Sequence, residues 1–169
     1  FNIETNIPNT KRKIVCFASI HLAEYDKVLN IIKGLKLNEI HEVVIIPRHI
    51  QYFENLNKKI ISENLKKITI HNKFGDSMSI FERSKIVFMG GSLIEHGGQN
   101  PLEPLSHGCF VLSGSFNKNF EEIYLDLEKL NLCKIMNSDN LDLISNEINN
   151  LVNVDFNNST EIENFININ

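Results

Sequence analysis

The chain is poor in several residue types: it has no tryptophan, four prolines, three cysteines and 8% aromatic residues in 169 residues. No apolar run approaches the roughly 18 residues that a membrane-spanning helix requires. The net charge is −4 and the basic residues are scattered, so we expect no nucleic-acid partner. The three cysteines lie far apart, without the spacing of metal ligands, and are predicted to be reduced core thiols of a cytosolic protein.

Three well-known catalytic and nucleotide-binding motifs are also missing. The sequence has no G-x-x-x-x-G-K-[ST] run, which argues against a P-loop nucleotidase. It has no G-x-S-x-G run, so no nucleophile elbow is expected. No G-x-G-x-x-G follows the first predicted strand, and a nicotinamide site is therefore unsupported.

With 42% hydrophobic residues, the chain is long enough to bury one sizeable core. It shows no internal repeat and no low-complexity linker, so we treat it as a single domain. It begins at Phe1 rather than at a methionine, and we expect a fragment or an excised domain.

Short apolar runs of the buried-strand type alternate with amphipathic helical segments. Strands are predicted at residues 13–19, 42–47, 67–72, 85–91, 109–114 and 132–136. Helices are predicted within residues 24–36, 50–65, 120–131 and 138–152, the last with a serine cap, and the tail after residue 152 forms one more helix or frays. This alternation predicts an α/β fold with a doubly wound parallel sheet, Rossmann-like, whose ligands bind beyond the carboxyl ends of the strands.

The loops after the first and second predicted strands carry a histidine and an arginine, respectively. Ser19 and His21 follow the first strand, where small residues would let a ligand approach; His21 either orients a substrate or is simply solvated. Pro47 and Arg48 follow the second strand. Arg48 is equally consistent with a two-pronged grip on a phosphate and with an ordinary surface ion pair.

The loop after the third strand contains Phe74, Gly75 and Asp76. Gly75 allows a sharp turn, and Asp76 or Ser77 is suited to cap a short helix. The free amides of such a helix end could hold an oxygen-rich ligand, but a plain connection explains the same residues.

The loop after the fourth strand is the most unusual part of the sequence, GGSLIEHGGQNPLEP. It contains two glycine clusters: Gly90 and Gly91 followed by Ser92, and then a second flexible turn of Gly97 and Gly98 followed by Gln99. These clusters suggest that a ligand comes close to the main chain.

A helix then starts with Asn100 as the predicted N-cap and Pro101 at the first helical position, so that its first amides favour a phosphate. Leu102 follows, and Glu103 either completes a capping box or accepts the hydroxyl protons of a ribose. We favour the ribose because a capping box needs no glycine cluster.

Taken together, IIPRH (45–49), FGDSM (74–78) and above all FMGGSLIEHGGQNPLEPLSHGCFVLSGSFNKNF (88–120) resemble the C-terminal half of 3-deoxy-D-manno-octulosonic acid (Kdo) transferases. The resemblance covers residues 13–122, roughly two-thirds of the chain. It implies one half of a GT-B glycosyltransferase, the domain that binds the donor CMP-Kdo. By resemblance, the nucleotide contacts are Pro47 and Arg48, then Phe74, Gly75 and Asp76, then Asn100, Pro101, Leu102 and Glu103.

The chain departs from that family's pattern at three points. The family usually has Met-Gly-Glu where this chain has Phe74-Gly75-Asp76, so the acid is shorter. Its first loop usually has more acidic residues and a glycine after the histidine; here only Glu24 remains, which puts a role for the His21 loop in doubt. Gln99 stands where the family often has histidine.

The resemblance also implies what the rest of the protein does. The chain, residues 1–169, would be the C-terminal donor-binding domain, and the N-terminal acceptor domain with the catalytic base would lie outside it. The expected reaction is an inverting, metal-independent transfer of Kdo from CMP-Kdo to a lipid A precursor in lipopolysaccharide synthesis, without a cofactor, at the cytoplasmic face of the bacterial inner membrane. Arg48 would stabilise the leaving phosphate, and this chain alone would be inactive.

Two alternatives remain open at the level of sequence. One is a GT-B domain that uses a UDP-linked sugar. The other is a non-catalytic domain that binds nucleotides or phosphate. The base preference of the nucleotide site distinguishes the first alternative from a Kdo transferase, because a Kdo transferase should bind CMP more tightly than UMP.

Overall fold

Six strands form one all-parallel sheet in a computed structural model that describes residues 12–73, 75–156 and 159–168. The strands are β1 Ile14–Ile20, β2 Glu42–Pro47, β3 Ile68–Ile70, β4 Ser84–Met89, β5 Phe110–Ser113 and β6 Cys133–Ile135. Their order across the sheet is β3-β2-β1-β4-β5-β6. The predicted doubly wound, Rossmann-like sheet is confirmed.

Helices cover both faces of this sheet. They are α1 Tyr25–Lys33, α2 Phe53–Ser62, α3 Ser77–Phe81, α4 Leu102–Ser106, α5 Glu121–Lys129, α6 Leu141–Leu151 and α7 Ser159–Ile168. The tail thus contains a helix, α7. The predicted serine cap of α6 is wrong: Asn140 Oδ1 accepts from the Leu143 amide at 3.0 Å. Ser138 is fully buried, and its hydroxyl donates to the Ser92 carbonyl and accepts from the Ser115 amide, each at 2.8 Å.

The core consists of two layers because successive residues of a strand point to opposite faces of the sheet. In β1, Val15 and Phe17 pack with apolar residues of α1, α2 and α6. Cys16 and Ala18 pack on the opposite side with residues of α3, α4, α5 and α7. Every one of these four strand residues is at most 1% exposed, so β1 is the centre of both layers.

All three cysteines lie in the second of these layers and are free. Burial raises the pKa of Cys109 and Cys133 to about 12 and raises that of Cys16 as well. A thiol of this kind is neither a nucleophile nor a metal ligand at neutral pH. The prediction of three buried, reduced thiols is confirmed.

The strand order places β1 beside β4 at the centre of the sheet, with the chain turning to opposite sides from these two strands. A crevice opens at such a point beyond the carboxyl ends of the strands. Here it is flanked by residues 19–21 at the end of β1 and residues 90–92 after β4. We call this region the switch-point crevice.

Candidate functional site

Arg48 lies directly beside the switch-point crevice. Pro47 pairs with Ile20 at the end of β1, and the Arg48 amide donates to the Ile20 carbonyl at 2.8 Å. The Arg48 side chain is exposed, and its guanidinium has no hydrogen bond or ion pair with any residue that the structure describes. The surface ion pair that the sequence left open is therefore absent from the described part of the chain, and the cation is free to bind an anion.

The end of β1 has an unusual backbone. Ser19 has a φ of 57°, in the left-handed region, and the pairing of β1 with β2 shifts register between Ala18 and Ile20. Such a conformation costs roughly 1–3 kcal/mol in a residue other than glycine, and it is most often found at functional sites. It leaves Ser19 out of the strand pairing near the end of β1, at the place where a ligand would bind.

The β4 end of the crevice packs against this turn. The Gly90 amide donates to the Ala18 carbonyl at 2.8 Å, and a Cβ at Gly90 would collide with the Ser19 carbonyl. Gly97 and Gly98 are similarly close to Asn119 and Asn117. Contacts within the protein thus account for these three glycines without a ligand, and nucleotide contact at them stays a prediction.

Ser92 and Gln99, two polar residues of the same loop, differ in whether their side chains can reach a ligand. Ser92 is fully buried, and its hydroxyl donates to the Met89 carbonyl at 2.5 Å and accepts from the Gly114 amide at 2.8 Å. It therefore supports the loop. Gln99 is only half-buried, and its Nε2 would be 3.4 Å from a Cβ placed on Gly91, so its side chain borders the crevice.

Glu24 holds the two sides of the crevice together, a role that sequence reasoning did not assign. Its carboxylate is fully buried and accepts three backbone N–H groups: His21 at 2.9 Å and Gly91 at 2.8 Å on one oxygen, and Leu93 at 3.0 Å on the other. The bonds to Gly91 and Leu93 cross from the β1 loop to the β4 loop. The only sequence signal for this was the spacing of three residues between His21 and an acid, as in a capping box.

Three histidines meet above this connection. The His21 ring lies 3.9 Å from that of His96 and 6.0 Å from that of His49, measured between centroids. His21 is 9% exposed, and its Nε2 has no hydrogen-bond partner among the described residues. Burial, together with the charges of His96, His49 and Arg48, lowers the pKa of His21 to about 4. The solvated His21 that the sequence left open is not observed.

We expect His21 to make the fold acid-sensitive. Because its pKa is about 6.5 unfolded and about 4 folded, the unfolded chain binds more protons between these values, and stability falls as pH drops through this window. The shift in pKa corresponds to at most about 3.4 kcal/mol, of which solvent screening leaves roughly 1–2 kcal/mol. Thermal unfolding at pH 7.5 and 4.5 should show a loss for the wild type that is a few degrees larger than for His21→Gln.

His41→Gln is the matched control for this experiment, since His41 is exposed and lies at the opposite edge of the sheet, just before β2. It should keep the acid sensitivity of the wild type. An identical loss in His21→Gln and in the wild type would show that His21 does not carry the effect.

The segments after β3 and β4 also meet. Ser77 Oγ donates to Glu103 Oε1 at 3.1 Å, which joins the start of α3 to the start of α4. Gly75 has a φ of +78° and nothing within 4 Å of a Cβ placed on it, and Asp76 is exposed without a side-chain cap bond. Asp76 therefore does not cap α3. Phe74 lies outside the described residues.

The start of α4 differs in detail from the prediction. The helix begins at Leu102, one residue later than expected, and Asn100 Oδ1 accepts from the Leu102 amide at 3.0 Å. Glu103 is exposed and bonds to Ser77 in place of a capping box. Because α4 has only five residues, few peptide dipoles add up at its N-terminus, and Arg48 is the stronger source of positive potential.

Two further properties of the described residues bear on function. Within residues 12–73, 75–156 and 159–168, no group of three or more His, Cys, Asp or Glu side chains is arranged to hold a metal ion. In the same ranges, no helix has the length and apolar character needed to cross a bilayer.

The strand order defines a Rossmann-like domain. At the carboxyl edge of its sheet lie two helix starts and Arg48, which is exposed and has no partner among the described residues. The C-terminal CMP-Kdo binding domain of WaaA from Acinetobacter baumannii has the same fold, with a TM-score of 0.72 over 94% of this chain and 91% of that chain, at 21% identity. No family model matches the chain.

Curated relatives are named 3-deoxy-D-manno-octulosonic acid transferase. The chain is 38% identical to that of Haemophilus influenzae over 74 residues, 44% of this chain and 17% of the relative. It is 27% identical to that of Aquifex aeolicus over 129 residues, 70% of this chain and 36% of the relative. The chain thus spans between about a sixth and about a third of the length of these relatives, and its resemblance to Kdo transferases is confirmed.

Proposed function

We propose that this chain is the donor-binding domain of a Kdo transferase and binds the CMP part of CMP-Kdo at the switch-point crevice. The observation that carries the proposal is that Arg48, at the end of β2 and next to the left-handed backbone of Ser19, is exposed and has no partner among the described residues. A guanidinium in this position suits bidentate binding of a phosphate. The named relatives and the CMP-Kdo binding domain with the same fold support the choice of nucleotide.

In the proposed reaction, the domain stabilises the leaving group. A hydroxyl of the lipid A precursor attacks the anomeric carbon of Kdo with inversion, a base outside this chain takes its proton, and CMP departs. Arg48 neutralises the charge that grows on the departing phosphate, which is electrostatic catalysis. A donor with one phosphate can be served by such a cation, so the reaction is proposed to need no metal and no cofactor.

Several parts of the proposal concern the whole enzyme rather than this chain. The chain is a C-terminal domain that transfers no sugar by itself. The acceptor and the catalytic base belong to an N-terminal domain. The complete enzyme acts in lipopolysaccharide synthesis, at the cytoplasmic face of the inner membrane.

Calorimetric titration of the chain with CMP, UMP and AMP tests the proposal. We expect weak binding of CMP and at least tenfold weaker binding of the other two, because a base-specific site discriminates by about 1.4 kcal/mol or more. Tighter binding of UMP would favour a UDP-sugar transferase. Equal affinity for all three nucleotides, or no binding, would reject the assignment.

A further inference from the structure

Tyr25, the first residue of α1, has a buried hydroxyl group without a hydrogen-bond partner. The residue is 1% exposed, and its hydroxyl bonds to none of the described residues. Unpaired polar groups of this kind are rare in folded proteins, because burying one without a partner costs stability. Burial, and to a smaller extent the neighbouring Tyr52, raises the pKa of Tyr25, so the hydroxyl keeps its proton at neutral pH. It is therefore a donor that the described part of the fold does not use.

Tyr25 adjoins the short connection between β2 and α2. We call this connection, residues 48–52, the β2–α2 segment. Tyr52, at its end, packs against the apolar cluster to which Tyr25 belongs. The ring of His49 lies 6.0 Å from that of His21, whose buried Nε2 also has no partner among the described residues. Two buried polar groups without partners thus lie next to the same segment.

The β2–α2 segment is attached to the sheet at one end only. Among the described residues, its one hydrogen bond to another strand joins the Arg48 amide to the Ile20 carbonyl at 2.8 Å. It then forms a single 3₁₀ turn, Ile50–Tyr52, in which no residue is buried. Its polar side chains make no hydrogen bond with any described residue. Because 3₁₀ turns have poorer hydrogen-bond geometry than α-helices, such a segment can shift at little cost.

We propose that the β2–α2 segment closes on the crevice when a nucleotide binds, and that Tyr25 donates a hydrogen bond to this segment in the closed arrangement only. Arg48 then binds the phosphate, and the Tyr25 hydroxyl finds its acceptor in a backbone carbonyl of the segment or in the Tyr52 hydroxyl. Tyr25 is a positioning residue, because it acts through the segment and does not touch the ligand. A ligand that binds the closed arrangement more tightly shifts the chain toward it. This inference rests on the proposed function, because it requires the phosphate to lie beside Arg48.

Tyr25→Phe tests the inference, because stability and affinity should change in opposite directions. Removal of a buried hydroxyl that has no partner should raise the Tm of the free chain by about 2–4 °C. Loss of the bond in the closed arrangement should weaken binding of CMP by about 2- to 10-fold, the effect of one net hydrogen bond. Thermal unfolding of the free chain and calorimetric titration with CMP measure the two changes separately.

Two matched variants serve as controls for this test. Tyr124→Phe removes a buried hydroxyl that already donates to the Gln99 carbonyl at 3.1 Å, so it should lower the Tm. Ile32→Val, at a fully buried position near the other end of α1, should also lower the Tm. Ile32→Val should nevertheless bind CMP as the wild type does, which shows that a change in the stability of α1 does not by itself alter the affinity.

Amide hydrogen exchange reports on the β2–α2 segment directly. CMP should slow exchange of the Tyr52 and Phe53 amides in the wild type, and it should slow this exchange less in Tyr25→Phe. Wild-type affinity for CMP in Tyr25→Phe, or a lower Tm of this variant, would overturn the inference and leave the proposed function standing. Absence of CMP binding by the wild type would overturn both.

Discussion

Glu24→Gln is expected to lower the free energy of unfolding by roughly 2–3 kcal/mol, and Glu24→Ala by roughly 3–5 kcal/mol. The glutamine keeps one oxygen, which can retain the bonds to His21 and Gly91, but its NH₂ group would face the Leu93 amide. Alanine leaves all three buried amides without an acceptor. Chemical denaturation should therefore rank the wild type above Glu24→Gln and that above Glu24→Ala.

The same substitutions should open the crevice before they unfold the chain. Loss of the Glu24 carboxylate removes the bonds to Gly91 and Leu93 and leaves the Gly90 amide bonded to the Ala18 carbonyl. Amide exchange at Gly91 and Leu93 should therefore accelerate, and the affinity for CMP should fall even at temperatures where the variant is fully folded. Glu54→Gln, at an exposed position on α2, is the matched control and should stay within about 0.5 kcal/mol of the wild type. A loss below 1 kcal/mol in Glu24→Ala would show that the carboxylate does not hold the loops together.

The strands could be predicted because parallel strands buried on both faces are continuous apolar runs. For β2 the predicted bounds, 42–47, agree with the structure, since Pro47 has no amide to extend the ladder. Helix starts were less certain. Several polar residues near a helix start can act as its cap, and tertiary contacts decide among them: Ser138 is held by Ser92, which leaves Asn140 to cap α6.

The position of the crevice was also predictable, because the strand order indicates at which loops of such a sheet a crevice opens. The contacts within the site were not. Glu24 bonds to Gly91 and Leu93, and Ser77 bonds to Glu103, across long stretches of sequence. These pairings depend on the order of the strands in the sheet, and a local sequence pattern does not predict that order.

The structure changes the physical interpretation of the glycine-rich loop. The sequence suggested that glycines admit a nucleotide, whereas Gly90 and Gly98 admit neighbouring backbone. The loop is thereby packed tightly against β1 and against the segment after β5. This tight packing would hold Gln99 and Asn100 in place at the crevice, and binding residues that are already ordered lose less conformational entropy when a ligand binds.

Arg48→Ala is expected to weaken binding of CMP by about 10- to 100-fold, because a charge-assisted, bidentate bond to a phosphate contributes roughly 1.5–3 kcal/mol. Stability should change by less than about 0.5 kcal/mol, since the side chain is exposed and has no partner among the described residues. Titration calorimetry and thermal unfolding measure the two effects separately. Arg48→Lys should restore only part of the affinity, because lysine offers a point charge without the planar fork.

Arg83→Ala is the matched control for the Arg48 effect, because Arg83 is also exposed but precedes β4, at the edge of the sheet opposite the crevice. It should bind CMP as the wild type does. The wild-type affinity should also fall with rising salt, and this dependence should be weaker in Arg48→Ala, because one phosphate contact by a cation has been removed. If Arg48→Ala and Arg83→Ala bind CMP equally well, the phosphate does not lie at the end of β2, and the nucleotide site must be sought elsewhere on the domain.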